Sequence, residues 1–236
     1  KEFEFTLSLS GQDNQPLSGE YEFVKSDNTT GTIKNDDTFT LKHGENLVIN
    51  GLPEGTKYSV TESKAEGYVA SNETLNGTIS EAKQSEASFV NTYGTSAVTG
   101  VPTGFKLTKV FTGHEWTSDY AFEFKLKAGA NDAGVKTPMP DETTKTVSAP
   151  DQGSKDTATF DFGAITYTKV GTYNYTVSEV TGDNDGITYS DNVAEITVNV
   201  TDNKDGTLSA KATIKEGTGV FTNTYSATGT TSIEVT

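Results

Sequence analysis

Three side chains in the second half of the sequence could together carry out nucleophilic and acid–base chemistry. Lys109 lies inside a strand-like segment between Leu107 and Phe111, so alternation turns it toward the core with two apolar neighbours. Burial lowers the pKa of a lysine and leaves a neutral amine, which is a nucleophile. Glu179 ends a later strand-like segment, and Asn223 lies near the end of the last one. A buried carboxylic acid can polarise an amide carbonyl and transfer protons.

The segments that would position these residues occur twice in the chain. Gly55–Glu62 is echoed by Gly171–Glu179, and Ala87–Tyr93 is echoed by Gly219–Tyr225. Each pair occurs once per half and in the same order. The repeat predicts two domains of related architecture.

Alternation of apolar and polar residues dominates the sequence and predicts strands rather than helices. Clear examples are Phe3–Leu9, Tyr120–Leu126, Tyr173–Val177 and Val193–Val200, and Asp202–Gly206 then supplies the turn of a hairpin. Strands that recur roughly every 8–12 residues are typical of β-sandwiches. We therefore predict an all-β protein with two immunoglobulin-like sandwiches in tandem.

The domain boundaries follow from composition. Residues 94–104 are small and Gly-rich, which predicts a linker. The first sandwich is then expected over residues 1–93 and the second over residues 105–226, with a tail at residues 227–236.

Composition excludes several classes of function. The chain has 33 acidic residues against 18 basic ones, a net charge of −15, and no arginine. Such a chain repels nucleic acid and anionic lipid. With no cysteine there is no disulfide and no thiolate metal site, so an extracellular β-domain would need another covalent staple. No apolar run is long enough to cross a bilayer and no signal peptide is present, so we expect a mature internal fragment without membrane insertion.

Both halves resemble domains of Gram-positive surface proteins. Gly51–Glu62 followed by Phe89–Asn91 resembles the collagen-adhesin (Cna) B-type domain. Residues 105–226 resemble the isopeptide-linkage domain of sortase-assembled streptococcal-type backbone pilins. The motifs that carry this second resemblance are Leu107–Lys109, Tyr175–Glu179 and Phe221–Asn223.

The second resemblance implies an internal covalent bond. In that family a lysine amine attacks an asparagine amide, ammonia leaves and an isopeptide bond remains. Lys109 would be the nucleophile, Asn223 the electrophile and Glu179 the catalyst. The reaction runs once per molecule, so the protein would not be an enzyme. The alternative is that Glu179 and Asn223 only cap strand ends while Lys109 extends to solvent.

The resemblance also implies a function. We expect a structural subunit of a pilus or adhesin stalk, extracellular and anchored to the cell wall. It would assemble head-to-tail with other pilin subunits through a sortase, with a host matrix protein as a further possible partner. Two alternatives remain: a ligand-binding adhesin module for a host matrix protein, with a groove of exposed aromatics, and an accessory β-sandwich of a secreted glycosidase, with a coplanar aromatic row.

The first half departs from this pattern. It has the acid, Glu62, and the asparagine, Asn91, but the strand that should carry the lysine would lie upstream of Phe3. Lys1 is therefore a candidate partner for Asn91 in a second isopeptide bond, with Glu62 as its catalyst. Residues 231–236 alternate like a strand, and we expect them to be donated to this domain, from a neighbouring chain rather than the same one. The alternative is a tail that belongs to no domain and merely contacts a neighbouring molecule.

The remaining candidates for a functional site are a sorting-like motif and the two histidines of the chain. Val101, Pro102, Thr103 and Gly104 resemble the signal that sortases cleave between Thr and Gly, but a strand follows them, so we interpret them as linker. His43 and His114 lie among turn residues without a second ligand nearby. We therefore expect no metal site and no cofactor.

Overall fold

The computed structural model describes residues 1–151 and 155–227. It divides into two compact units, Lys1–Gly94 and Thr95–Thr236, which we call unit 1 and unit 2. The described residues form strands and no helix, so the prediction of an all-β protein is confirmed. They accordingly contain no helix that could span a bilayer.

Unit 1 is built from nine strands. A four-stranded sheet has the order β4-β1-β6-β8, a three-stranded sheet has the order β3-β2-β5, and β7 pairs with β9. The strands are β1 Glu2–Ser10, β2 Glu20–Lys25, β3 Thr30–Lys34, β4 Thr38–Lys42, β5 Leu47–Ile49, β6 Lys57–Glu62, β7 Tyr68–Ala70, β8 Thr74–Thr78 and β9 Asn91–Tyr93.

The core of unit 1 lies between its two larger sheets. The alternation along β1 turns Phe3, Phe5, Leu7 and Leu9 to the same face, and all four are buried. Leu7 and Leu9 share a cluster with Ile33 of the opposite sheet, and the rings of Phe5 and Phe39 stack. The predicted first apolar strand is therefore the central strand of this sheet.

Unit 2 is larger, and its described residues, 95–151 and 155–227, form eleven strands. Its two main sheets have the orders β14-β11-β20-β17 and β13-β12-β16-β18-β19, and β10 pairs with β15. The strands are β10 Val98–Gly100, β11 Leu107–Thr112, β12 Ala121–Asn131, β13 Thr144–Ser148, β14 Thr157–Phe160, β15 Ile165–Tyr167, β16 Gly171–Glu179, β17 Ile187–Thr188, β18 Val193–Asp202, β19 Leu208–Ile214 and β20 Val220–Tyr225.

Aromatic side chains join the two main sheets of unit 2. Phe124 of β12 lies 4.4 Å from Phe160 of β14 and 5.0 Å from Phe221 of β20, measured between ring centroids. Phe111 of β11 packs in the same way on Phe122 of β12. These rings belong to one core cluster that includes inward residues of both sheets. Unit 2 is thus a sandwich, with β11 and β20 side by side in one layer.

The predicted linker is a strand of unit 2 over part of its length. Val98–Gly100 pairs antiparallel with Ile165–Tyr167, and Ser96 N donates to Gly206 O. The domain boundary therefore lies at residue 94, and the prediction of a linker over residues 94–104 is corrected. Small residues favour a loop in isolation, but here a distant strand supplies the hydrogen-bond partners.

The predicted donated strand lies outside the described residues. The described part of the chain ends at Ala227, so residues 231–236 cannot be placed. Within the described part, β9 of unit 1 pairs only with β7, whereas the corresponding β20 of unit 2 pairs with both β17 and β11. Unit 1 thus has no described counterpart of β11.

Candidate isopeptide site

Strand β11 turns Lys109 into the core of unit 2. Its burial alternates, with Leu107, Lys109 and Phe111 inward. β14 pairs with one edge of β11 and β20 pairs in parallel with the other, so the strand is covered on both sides. Lys109 is 0% exposed, which means that its amine has no water to solvate it.

Glu179 and Asn223 reach the same point from the two facing sheets. Glu179 is the last residue of β16, and its side chain is also 0% exposed. Asn223 lies in β20, directly beside Phe111 in the parallel register, and is fully buried. Lys109 Nζ lies 3.1 Å and 3.0 Å from Glu179 Oε1 and Oε2, and Asn223 Nδ2 donates to Oε1 at 2.6 Å. The structure brings the three predicted residues together around one carboxyl group.

The orientation of the Asn223 amide differs from the expectation. The backbone N–H of Ser190 donates to Asn223 Oδ1 at 2.8 Å. Because a backbone N–H can only donate, it fixes which end of the amide is the carbonyl. Glu179 therefore contacts the amide nitrogen, which is the leaving group, and not the carbonyl oxygen as the sequence analysis assumed. The carbonyl is polarised by Ser190 instead, in the manner of an oxyanion hole.

The surroundings of Lys109 favour its neutral form. Burial lowers the pKa of Lys109 from its ordinary value of 10.5 to about 8, although the charge and hydrogen bond of Glu179 oppose the shift. The Nζ atom lies 4.3 Å from the ring centroid of Phe122 and 5.9 Å from that of Phe124. An amine with this pKa is partly neutral at physiological pH and is therefore available as a nucleophile.

Unit 1 repeats the acid and the amide of this site. Asn91 Nδ2 donates to Glu62 Oε1 at 2.6 Å, the same atoms and distance as in the pair of Asn223 and Glu179. Glu62 is 8% exposed. Glu62 and Asn91 are thus close together, as the internal repeat predicts.

Lys1 does not take the place of Lys109 in unit 1. It is exposed at the start of the chain, and Glu62 Oε2 has no hydrogen-bond partner. The prediction that Lys1 lies beside Glu62 or Asn91 is therefore corrected. The physical reason is that β1 runs antiparallel to β6 with Phe5, not Lys1, opposite Glu62.

The sorting-like motif is held in the fold of unit 2. Thr103 N donates to Ala210 O at 3.1 Å, and Thr103 O accepts from Ala212 N at 2.8 Å. Pro102 is buried, and Gly104 has a φ of +89° with its missing Cβ facing Ala212 O at 2.7 Å. Only glycine fits this position. The four residues, which include Val101, attach to β19 and do not form a linker.

Ser190 is the contributor that the sequence analysis missed. It acts through its backbone, and no side-chain motif signals such a donor. Asn192 supports the same loop, because its Nδ2 donates to Thr218 O and Val220 O at 2.9 and 2.8 Å. In residues 1–151 and 155–227 no group of three or more His, Asp or Glu side chains could hold a metal ion.

Comparison with family models agrees with this geometry. Residues 105–226, just over half of the chain, match the family described as Spy0128-like isopeptide containing domain. The chain belongs to this family. The predicted resemblance to Gram-positive pilins is thereby confirmed. Residues 1–93 match a domain of unknown function (DUF7601), so their Cna B-type character stays a prediction.

The chain is similar in sequence to part of one curated surface protein, and it also aligns with one solved structure. A 71-residue stretch is 42% identical to the pilus tip adhesin Cpa of Streptococcus pyogenes, and it covers 30% of this chain but only 10% of that protein. The major pilin protein (T-13) from Streptococcus pyogenes serotype GAS131465 aligns over 95% of this chain and 90% of its own, at 16% identity and a TM-score of 0.22. A TM-score this low carries no structural argument.

Proposed function

We propose that this isopeptide-domain protein is a structural subunit of a bacterial surface pilus, and that an autocatalytic bond between Lys109 and Asn223 locks unit 2. One observation carries the proposal: a buried amine and a buried amide contact the same carboxyl group, Glu179, at 3.0 Å and 2.6 Å. An ordinary buried ion pair would need no amide on the shared oxygen.

The reaction can be written with all atoms in balance. A proton moves from the Lys109 ammonium to Glu179, and the neutral Nζ attacks Cγ of Asn223. The carbonyl electrons move to Oδ1, where the Ser190 N–H stabilises the negative charge. Glu179 then protonates Nδ2 and takes a proton from Nζ. The Cγ–Nδ2 bond breaks, ammonia leaves and the carbonyl re-forms, and Glu179, which began as a carboxylate, ends protonated with the net proton that the Lys109 ammonium gave up.

The position of the bond suits a load-bearing subunit. β11 and β20 are parallel neighbours, and the bond would join residues roughly 114 positions apart, a closure worth on the order of 4.7 kcal/mol in the disulfide model. Tension applied through the ends of unit 2 would pass from β11 through the bond into β20. The sheets between them would carry none of the load.

The same reasoning extends to assembly and location. The protein would be extracellular, anchored to the cell wall, and joined head-to-tail to other pilin subunits by a sortase. Because the bond forms once per molecule, the chain would not act as an enzyme. A host matrix protein as a partner follows only by analogy with the pilus tip adhesin.

The two alternative functions lack the surface that they require. Among the described residues, all the exposed large hydrophobic side chains are valines: Val24, Val48, Val69, Val90, Val101, Val170, Val193 and Val220. Neither an exposed aromatic groove nor a coplanar aromatic row is available in this part of the chain. The observation favours a stalk over an adhesin module or a glycosidase accessory domain.

Intact mass spectrometry tests the proposal. The purified chain should weigh one ammonia less than its sequence requires, and Glu179→Ala and Asn223→Ala should restore the full mass. Glu195→Ala is the matched control, because Glu195 forms an exposed ion pair with Lys215 and its loss should leave the mass deficit unchanged. A wild-type chain of full mass, or a mass deficit that survives Asn223→Ala, would refute the proposed bond.

A further inference from the structure

The sequence contains two Asn-Gly dipeptides, and both lie in unit 1. They are Asn50-Gly51 and Asn76-Gly77. Both asparagines are exposed, and neither side-chain amide has a hydrogen-bond partner among the described residues. An asparagine that precedes a glycine can react with its own backbone, because glycine has no Cβ to shield its nitrogen from the amide carbon beside it. The surroundings of the two glycine nitrogens therefore decide whether either dipeptide reacts.

The first dipeptide lies in the open connection that follows β5. Asn50 N donates to Glu22 O at 2.8 Å, so the backbone is anchored just before the reacting bond. Gly51 is exposed with a φ of +78°, and apart from its chain neighbours nothing lies within 4 Å of the position that a Cβ would take. Its N–H has no hydrogen-bond partner in residues 1–151 and 155–227. The nitrogen can thus approach the Asn50 side chain without breaking any hydrogen bond of the fold.

The second dipeptide is held inside a sheet. Gly77 pairs with Tyr58 in the antiparallel ladder between β6 and β8. Ile79 N donates to Thr56 O, two residues away along each strand. Because hydrogen-bonded pairs alternate in an antiparallel ladder, Gly77 N donates to Tyr58 O in the same way. The Tyr58 side chain also covers the glycine, since a Cβ at this position would overlap its ring.

We propose that Asn50 is a site of spontaneous deamidation in the folded chain, whereas Asn76 is protected by the sheet. The two dipeptides share their sequence, their exposed asparagine and their unpaired amide, and they differ in how the glycine nitrogen is held. The nucleophile is the nitrogen of Gly51, and the co-reactant is water. No residue of the site in unit 2 takes part.

The reaction can be balanced with water alone. Gly51 N gives its proton to water and attacks Cγ of Asn50, so that a cyclic imide closes. The Cγ–Nδ2 bond breaks, and ammonia leaves with the proton that water returns. A further water molecule then opens the imide at either of its carbonyl groups. The product is an aspartyl residue, or an isoaspartyl residue whose main chain runs through the former side-chain carbon.

Both products change the charge of unit 1. Each adds one negative charge to a chain whose net charge is −15. The isoaspartyl product also adds a methylene to the main chain between β5 and β6, the strand that ends at Glu62. The site lies in an exposed connection, so unit 1 should stay folded in either form. Both products are heavier than the starting chain, which distinguishes them from the loss of ammonia proposed for unit 2.

Peptide mapping of the aged chain tests the proposal. The purified chain is incubated in warm, mildly alkaline buffer and then cleaved after lysine, which places Asn50 in the peptide 43–57 and Asn76 in the peptide 65–83. The first peptide should become heavier by the exchange of an amino group for a hydroxyl group, and the second should stay unchanged. In guanidinium chloride that unfolds unit 1, both peptides should convert at similar rates, because no sheet then protects Gly77.

Variants assign the change to one asparagine. Asn50→Gln should abolish the change in the peptide 43–57, because a longer side chain must close a larger ring. Asn46→Gln is the matched control and should leave the change intact, since Asn46 lies in the same peptide but precedes Leu47. A folded chain whose Asn50 stays unmodified, or whose Asn76 converts as fast as Asn50, would overturn the proposal.

Discussion

The two units place a carboxyl group and an asparagine amide in the same geometry but enclose them differently. In unit 2, Glu179 contacts both Asn223 and Lys109, and all three side chains are fully buried. In unit 1, the carboxyl group of Glu62 has Asn91 as its one hydrogen-bond partner among the described residues, and Asn91 is only half-buried. The acid and the amide are thus properties of the repeated framework, whereas the amine and the full enclosure both come from a single strand, β11.

This difference shows why one strand decides the chemistry. β11 brings the nucleophile and excludes the water that would keep the nucleophile protonated. Removing the lysine alone would leave the enclosure, and removing the amide alone would leave the ion pair. Only the loss of the lysine makes unit 2 resemble unit 1, because unit 1 also has the acid and the amide.

The largest effect is expected when unit 2 loses its amine. Lys109→Met removes the bond and leaves the Glu179 carboxyl group buried with neither the amide N–H of the bonded state nor a cation beside it, so unit 2 should lose on the order of 8 kcal/mol from the lost crosslink and the unpaired carboxyl group together. Urea denaturation followed by the fluorescence of Trp116, which is buried in unit 2, would measure the loss. Adding Glu179→Gln should recover part of this loss of stability, and a double variant no more stable than Lys109→Met would show that the unpaired carboxyl group does not contribute to it.

The second-largest effect is expected when the bond is lost but the Lys109 amine is retained. Asn223→Ala prevents crosslinking and leaves Lys109 and Glu179 as an ion pair, so unit 2 should lose about 5 kcal/mol and its melting temperature should fall by roughly 15 °C. Calorimetry would resolve this transition from that of unit 1. The matched change in unit 1, Asn91→Ala, should cost only about 1–2 kcal/mol, the value of one hydrogen bond. Equal losses in the two units would contradict a bond confined to unit 2.

The unbonded unit 2 should also depend on pH in a way that the bonded one does not. In Asn223→Ala the pKa of Lys109 is lowered to about 8 by burial, against 10.5 in the unfolded chain. Between these values the unfolded state binds more protons, so stability should rise by a few kcal/mol as the pH increases from about 8 to 10.5, and stay level below pH 8. In the bonded wild type that we propose, Lys109 would be an amide and would not titrate. Melting temperatures of the wild type and of Asn223→Ala, measured across this pH range, would show whether the difference between the two proteins becomes smaller as the pH rises.

The smallest effect is expected at the acid of unit 1. Glu62→Gln keeps an acceptor for Asn91 and replaces only the unpartnered oxygen, so the stability of unit 1 should change by no more than about 1 kcal/mol. The same substitution at Glu179 should prevent the bond, and the resulting loss of stability in unit 2 should be several times the loss that Glu62→Gln causes in unit 1. Chemical denaturation of the two variants gives the comparison directly, and a large loss from Glu62→Gln would mean that its carboxylate already has a partner in solution.

The sequence predicts the side chains of the site better than its surroundings. Alternation along β11 and the repeated Glu and Asn were enough to bring Lys109, Glu179 and Asn223 together, because side-chain direction in a strand follows from spacing alone. The role of Ser190 could not be predicted, since every residue other than proline has a backbone N–H. Val98–Gly100 was assigned to a linker because a three-residue edge strand has little pattern of its own and depends on a partner more than 60 residues away.

Pulling a single molecule by its two ends tests the central claim most directly. If Lys109 and Asn223 are bonded, unit 1 should unfold and lengthen the chain by roughly 30 nm, while the residues between β11 and β20 should add nothing at any force below that of covalent rupture. In Asn223→Ala a second extension of roughly 40 nm should appear. A wild-type chain that shows this second extension would contradict the account, because its unit 2 would then be held by hydrogen bonds and packing alone.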